Sequence, residues 1–186
     1  MNPRDVLPSS FFAGPTVDVA RQLVGKILCR TLPAENSREV RQALIVEVEA
    51  YTQEDPACHA FRGKTRRSAI MFGPPGFAYV YFIYGMYHCL NVVTEGPGRG
   101  CAVLLRGLDG GAPKGILSGP GKLCRTLAID LSHNGLSLCQ KTSPIHILEA
   151  PAVDPARILE TPRIGISKDK HLNWRYLLKE ADSLEK

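Results

Sequence analysis

No stretch of this sequence approaches the ~18–20 consecutive apolar residues that a membrane-crossing helix needs, so no membrane partner is expected. The N-terminal "MNPRDVLPSSFFAGP" places prolines where a signal peptide carries its apolar core, which points away from secretion. Cysteines stand singly, at 29, 58, 89, 101, 124 and 139, with no CxxC pair. That spacing suggests neither a zinc site nor a thioredoxin-like centre, and no metal is expected. A chain of this size without an export signal keeps its thiols reduced, so they are expected to be buried and inert. Repeats and low-complexity segments are missing too, which removes solenoid and array architectures. Aromatic residues are few, at 7 % of the chain.

What is present is ordinary globular composition on 186 residues, with 44 % apolar and 22 % charged residues. One domain over 1–186 is expected, long enough to bury a core. The net charge of +5 is mildly basic and compatible with a polyanionic partner, without being diagnostic. The charge is clustered, however. "RGKTRR" puts Arg62, Lys64, Arg66 and Arg67 around Thr65. Such a run is either a solvated loop or a phosphate-contacting one.

The periodicities divide the chain into short elements. "PTVDVARQLVG" reads as a helix that Thr16 can cap and Gly25 can end. "KILCRTL" reads as a strand, "PAENSRE" as a polar connector, and "ALIVEVEAYT" as a second, strictly alternating strand. "MFGPPGFAYVYFIYGMYHCLNVV" reads as a turn and then a hairpin pivoting near Tyr84-Gly85. "CAVLLRGL" is a further strand, "DGGAPKGILSGPG" is irregular, and "KLCRTLAIDLS" is a helix whose Leu123, Leu127 and Leu131 share a face, stopped by "HNG". "SPIHILEA" is a short strand, and "DPARILE" a helix with Asp154 as cap and Pro155 at its first position. The C-terminal segment begins as strand or loop and can end helical. Strands joined by short turns predict an α+β fold, with a curved, mainly antiparallel sheet, helices around it and a protruding hairpin.

Alternation in "ALIVEVEAYT" sends Leu44, Val46, Val48 and Ala50 one way, and Ile45, Glu47, Glu49 and Tyr51 the other. Two carboxylates and a phenol therefore share a strand face. That face is either a wet strand edge or a general base beside an aromatic wall. Alternation does not choose between the glutamates. Four of the six tyrosines lie at 79, 81, 84 and 87. A core strand has little use for so many phenols, because each buried hydroxyl needs a partner. A planar heterocycle does have a use for them, at roughly 1–3 kcal/mol per stacked base. Tyr84 falls at the hairpin tip, where an aromatic suits insertion into a base stack. Tyr87 reads more simply as a core residue.

The blocks "EVEAYTQEDPACHAFRGKT", "MFGPPGFAYVYFIYGMYHCLNVV", "AVLLRGL" and "GPGKLCRTLAI" together resemble the alkyladenine (3-methyladenine) DNA glycosylase family, in family order over about residues 10–170. The resemblance implies base-excision repair. A damaged purine in double-stranded DNA is flipped out and its N-glycosidic bond is hydrolysed by water, with no cofactor. Matched residue by residue, Glu49 is the glutamate that activates water. Tyr51 and Tyr81 are stacking walls, His59 a pocket residue on the other face of the base, and Tyr84 the intercalating residue. Asn91 is the asparagine that clashes with the amino group of normal guanine, and Arg106 an arginine near the reacting centre. For Tyr81 and Asn91 to share a face, the hairpin needs a three-residue loop or a bulge; a two-residue turn would pair Tyr81 with His88.

Backbone contacts are expected from Arg62, Lys64, Thr65, Arg67, Lys122 and Arg163. The "GPGKLC" entry is either a phosphate-receiving helix start or a plain glycine-rich one. The lysines lie in loops or the tail without an apolar pocket sequence, which predicts a monofunctional enzyme without lyase activity. One departure stands out. The family's ending, a glycine turn and a short "VS"-like strand thought to help hold the water, is not recognisable in "NWRYLLKEADSLEK". A monomer is expected, in the cytoplasm or nucleoid of a bacterium or the nucleus of a eukaryote. Two other readings remain: a non-catalytic binder of damaged or distorted nucleic acid, and an RNA-directed base hydrolase.

Overall fold

A fifteen-residue strand organises the molecule. The structure, a computed structural model, describes residues 5–34, 37–110 and 116–179. Strand β1 (Ile27–Ala34) runs antiparallel to β2 (Ser37–Tyr51), with Ile27 opposite Leu44 and Ala34 opposite Ser37. The segment expected as a polar connector is thus largely strand. On its other edge β2 pairs with β5 (Ala102–Asp109). β3 (Ala78–Ile83) and β4 (Tyr87–Val93) form the hairpin, and β4 continues onto β5. β7 (Ile145–Leu148) flanks β1, giving the order β3-β4-β5-β2-β1-β7. Every pairing is antiparallel, and the sheet curls because its long strands change partners part-way. β2 meets β1 up to Leu44 and then β9 (Arg175–Leu178) at Glu47–Glu49, with β8 (Ile158–Thr161) outside β9. β5 meets β4 at Ala102–Leu104 and then β6 (Ile116–Ser118) at Gly107–Asp109.

At this handover the β2–β5 register slips twice. Ile45 faces Leu108, Glu47 faces Gly107 and Val48 faces Leu105, so Val46 and Arg106 each lack an opposite number. A bulge reverses the parity of everything beyond it. Ala43 and Ile45 before it, and Val48 and Ala50 after it, all enter the same core. This corrects the strict alternation, which placed Ile45 with the glutamates and Leu44 and Val46 with Val48. Glu47, Glu49 and Tyr51 do remain on one face.

Short helices cover the core face: α1 (Ser9–Phe12), α2 (Thr16–Leu23) and α3 (Pro120–Thr126). α2 buries Val19, Ala20 and Leu23. Its N-cap is Pro15, and the Thr16 hydroxyl bonds Thr94 and Glu95 instead of capping. α3 stops sooner than its leucine spacing suggests, because Ala128 takes a left-handed φ of 47°. Leu131, expected on its apolar face, lies exposed in a separate 3-10 turn. "DPARILE" makes only one 3-10 turn, Pro155–Arg157, which Asp154 caps as expected before the chain enters β8. Part of "DGGAPKGILSGPG" lies outside the described residues, and the rest contains strand β6. The C-terminal helix expectation also falls outside them.

All six cysteines are free; Cys139 is partly buried and the others fully. Burial pushes the Cys58 thiol up to about 12 and Cys101 to about 11, so both stay protonated at neutral pH. No helix among the described residues is long and apolar enough to cross a membrane.

Candidate active site

The opposite face of β3–β5 carries a cavity of about 510 Å³. The hairpin's register decides which side chains reach it. Ile83 faces Tyr87, so the connection is the three-residue loop Tyr84-Gly85-Met86. Tyr84 and Gly85 both adopt left-handed backbone, with φ of 54° and 68°. Glycine does this freely, whereas a tyrosine is held there at a cost of roughly 1–2 kcal/mol. Tyr81 therefore pairs with Cys89 and Tyr79 with Asn91, and Tyr81 and Asn91 line the same cavity. The alternate residues Val80, Leu90 and Val92 enter the main core.

Tyr51 and His59 complete the aromatic lining with Tyr79 and Tyr81. The His59 ring meets Tyr81 edge-on at 4.6 Å between centroids, and its Nδ1 lies 2.9 Å from the Tyr79 hydroxyl. Burial, with help from the nearby Arg67 cation, lowers the His59 pKa to about 4, so the imidazole is neutral at pH 7. Burial raises Tyr79 to about 12. Tyr51 rises further, through burial and then the Glu49 carboxylate, and Tyr81 through burial and then Cys89. The walls are thus uncharged hydroxyl-bearing rings. Asn91 is buried, and its Nδ2 donates to the Tyr79 carbonyl at 3.0 Å. Tyr87 is not the core residue expected. It is partly exposed on the cavity wall, against α3, where a Cβ on Gly121 would come within 2.8 Å of its ring.

Behind Tyr51 and Arg106 lies a charged floor. Glu49 is 0 % exposed. Its Oε2 accepts from the Tyr51 hydroxyl at 2.7 Å, and its Oε1 accepts from the Ile164 amide at 2.7 Å. Arg106 approaches at 3.4 Å, the outer limit of a hydrogen bond. The bulge turns Arg106 toward both glutamates, and its Nε donates to Glu47 at 3.1 Å. Glu47 also accepts from Arg175 at 2.7 Å. Glu47 is therefore engaged by two cations, Arg106 of the cavity lining and Arg175 outside it, whereas the partners of Glu49, namely Tyr51, Ile164 and Arg106, all line the cavity.

The expected phosphate contacts divide. Arg62, Lys64 and Lys122 are exposed, and Lys122 borders the cavity with Arg125. Thr65 is exposed, but its hydroxyl is engaged by Ser68. Arg67 is exposed and stacks over the Tyr81 ring at 4.9 Å, beside the pocket. Arg163 corrects the expectation: its side chain is 0 % exposed and paired with buried Asp55, so it cannot reach a phosphate from there. The α3 entry offers little either, since Pro120 has no amide hydrogen and the Lys122 amide bonds Gly119. Among the described residues, no group of three or more His, Cys, Asp or Glu is placed to hold a metal ion.

Residues 10–182 match the family model described as methylpurine-DNA glycosylase. The chain belongs to the methylpurine-DNA glycosylase family. Curated members of similar sequence span almost its full length. One from Ehrlichia chaffeensis is 43 % identical over 98 % of each chain, and one from Rickettsia felis is 44 % identical over 96 % of each. One from a Wolbachia of Brugia malayi is 47 % identical over 92 % of this chain and 96 % of its own. Each carries the name "Putative 3-methyladenine DNA glycosylase".

The cavity brings together Tyr51, His59, Tyr81, Asn91 and Arg106, with Tyr84 at its mouth and Glu49 directly behind. Sequence reasoning missed Ile164, Asp55, Glu47's two arginines and the contact of Gly121 with Tyr87. The "RIG" of 163–165 was the available signal, a glycine turn ahead of the divergent ending. Gly165 takes a φ of 77° there, and Ile164 and Ile166 line the cavity.

Proposed function

We propose that this methylpurine-DNA glycosylase family member is a monofunctional base-excision enzyme. It acts as a monomer on double-stranded DNA, in whichever compartment holds the DNA. A damaged purine swings out of the helix into the cavity, and water hydrolyses its N-glycosidic bond. The observation that carries this reading is the placement of the Glu49 carboxylate, held by Tyr51, Ile164 and Arg106, directly behind a pocket walled by phenols. A non-catalytic binder of damaged or distorted nucleic acid has no use for a carboxylate sealed at that position.

The geometry suggests how the steps divide. Tyr51, Tyr81 and neutral His59 enclose a flat base, and electron-rich rings favour a cationic alkylpurine. Flipping costs a few kcal/mol, least where damage has weakened pairing. The two 3.4 Å contacts to Arg106 are the longest that Glu49 makes, so Arg106 is the partner that draws back to admit a water to the carboxylate. Its oxygen bonds to the anomeric carbon as the carbon–nitrogen bond breaks and that electron pair passes to the purine. Glu49 takes the water's proton and stabilises the positive charge that develops on the sugar. A cationic lesion leaves as a neutral base; a neutral lesion such as hypoxanthine needs an added proton. Tyr84 fills the gap left in the stack, and Arg62, Lys64 and Lys122 meet phosphates. Lys122 borders the cavity but is solvent-exposed on α3, so its amine is not sequestered as a Schiff-base nucleophile.

The test is a duplex carrying one hypoxanthine or 7-methylguanine, scored for alkali-labile abasic sites, with the same lesion in RNA alongside. Glu49→Gln is expected to keep DNA binding and lose about 10²–10⁴-fold in base release. Borohydride should trap no covalent complex. Full activity of Glu49→Gln removes Glu49 from the chemistry, and cleavage of RNA alone makes the protein an RNA-directed hydrolase.

A further inference from the structure

The buried Asp55–Arg163 pair does not itself line the cavity, yet it joins three pieces of the site. Arg163 Nη1 donates to the Ala50 carbonyl at 2.9 Å as well as to Asp55. Its guanidinium lies 4.7 Å from the Tyr51 ring and 5.2 Å from the Trp174 ring. Asp55 Oδ1 accepts from the Ala57 amide at 2.9 Å and so shapes the loop that carries His59. The residue after Arg163 is Ile164, whose amide reaches Glu49.

This is a poor way to gain stability. Buried pairs seldom repay the loss of hydration. Here Nε and Nη2 of Arg163 are buried without a hydrogen-bond partner. They lie on a side chain stacked against aromatic rings. What the pair does provide is position. The flat guanidinium backs the face of Tyr51 turned away from the cavity, and the ionic anchor fixes where the 163–166 turn crosses β2.

We infer that Arg163, held by Asp55, is a positioning residue for base excision: it sets the Ile164 amide on Glu49 and holds the Tyr51 wall in place. This rests on the reading of Glu49 as the group that activates water. Arg163 touches neither base nor water, and its effect reaches the chemistry through Glu49 and Tyr51.

Arg163→Met alone strands a buried aspartate, which lowers Tm whatever the role. The informative protein is the double variant Asp55→Asn with Arg163→Met. It removes both charges together and keeps an acceptor for the Ala57 amide, so folding is expected to survive. The proposal expects a Tm at or above wild type and affinity for a duplex with an abasic-site analogue within about threefold, because backbone contacts are untouched. It expects single-turnover excision at saturating enzyme to fall ~10–100-fold, the scale of a misplaced catalytic group. A purely structural pair predicts the same recovered Tm but excision at the wild-type rate, which overturns the proposal. Should the double variant not fold, Ile164→Pro removes the amide donor, together with the isoleucine side chain that lines the cavity; an unchanged rate in that protein also overturns the proposal. Glu49→Gln in the same assay separates the two claims. An active Glu49→Gln sinks the reading of Glu49 and the positioning role with it. An inactive Glu49→Gln beside a fully active double variant sinks the positioning role alone.

Discussion

The floor of the cavity and the tip of the hairpin invert the usual partition of a folded chain. At the floor Glu47, Glu49, Asp55 and Arg163 are buried charges. At the tip Phe82, Tyr84 and Met86 are exposed, Tyr84 to 80 %. Each arrangement is unfavourable for the free protein, for opposite reasons. Buried charges persist only when paired, and exposed apolar groups persist where a partner will cover them. The floor answers to itself: every charged group there meets another within the chain. The tip has no such answer within the described residues, apart from the tilted contact of Phe82 with His88. Mutations at the floor should therefore disturb folding and chemistry together, whereas mutations at the tip should disturb only association with DNA.

The largest expected effect is at the floor. Arg106→Ala leaves Glu49 without a cation and Glu47 with Arg175 alone. Breaking so buried a cluster costs about 3–5 kcal/mol, which for a chain of this size lowers Tm by roughly 10 °C. Calorimetry checks this, and excision should fall with it; an unchanged Tm would show that the floor is looser than its geometry.

The tip should behave differently. Tyr84→Gly removes the stacking ring and relieves a left-handed tyrosine at the same position. Tm is expected to hold or rise, while affinity for a lesion duplex weakens by about 1–3 kcal/mol, the worth of one stacked base. A fall in Tm with unchanged affinity would reverse the roles of the two regions.

The smallest effect is on His59, between the two. Its pKa is lowered to about 4 in the fold, mainly by burial. Below its ordinary value near 6.5 the unfolded chain takes up a proton that the folded chain refuses. Stability is thus lost as pH falls from about 6.5 toward 4 and is fully present above that window. His59→Gln should flatten this part of the Tm–pH profile. Excision should show no inflection near pH 6.5 from His59, since the ring stays neutral there.

Much of this was legible in the chain. The glutamate–phenol face and the hairpin follow from the period of two and from a glycine beside Tyr84, and the odd loop from requiring Tyr81 and Asn91, matched through the family resemblance, to share a face. What sequence periodicity missed has common causes. The bulges at Val46 and Arg106 occur where β2 and β5 exchange neighbours, and a strand carries no local mark of when its partner changes. The early end of α3 depends on Ala128, a residue that ordinarily favours helix. Arg163 reads as a phosphate ligand because an arginine in a loop usually meets solvent; only the approach of Asp55, Tyr51 and Trp174 buries it.

By itself the sequence determined that Glu47, Glu49 and Tyr51 share a strand face, where the hairpin turns, and the family to which the chain belongs, because these depend on neighbours a few residues apart. The tertiary structure decided which glutamate lies under the aromatic slot, which arginines face solvent and which are sealed, and that Ile164 caps the carboxylate. Those outcomes depend on desolvation and on partners more than a hundred residues away, and neither is written in local pattern.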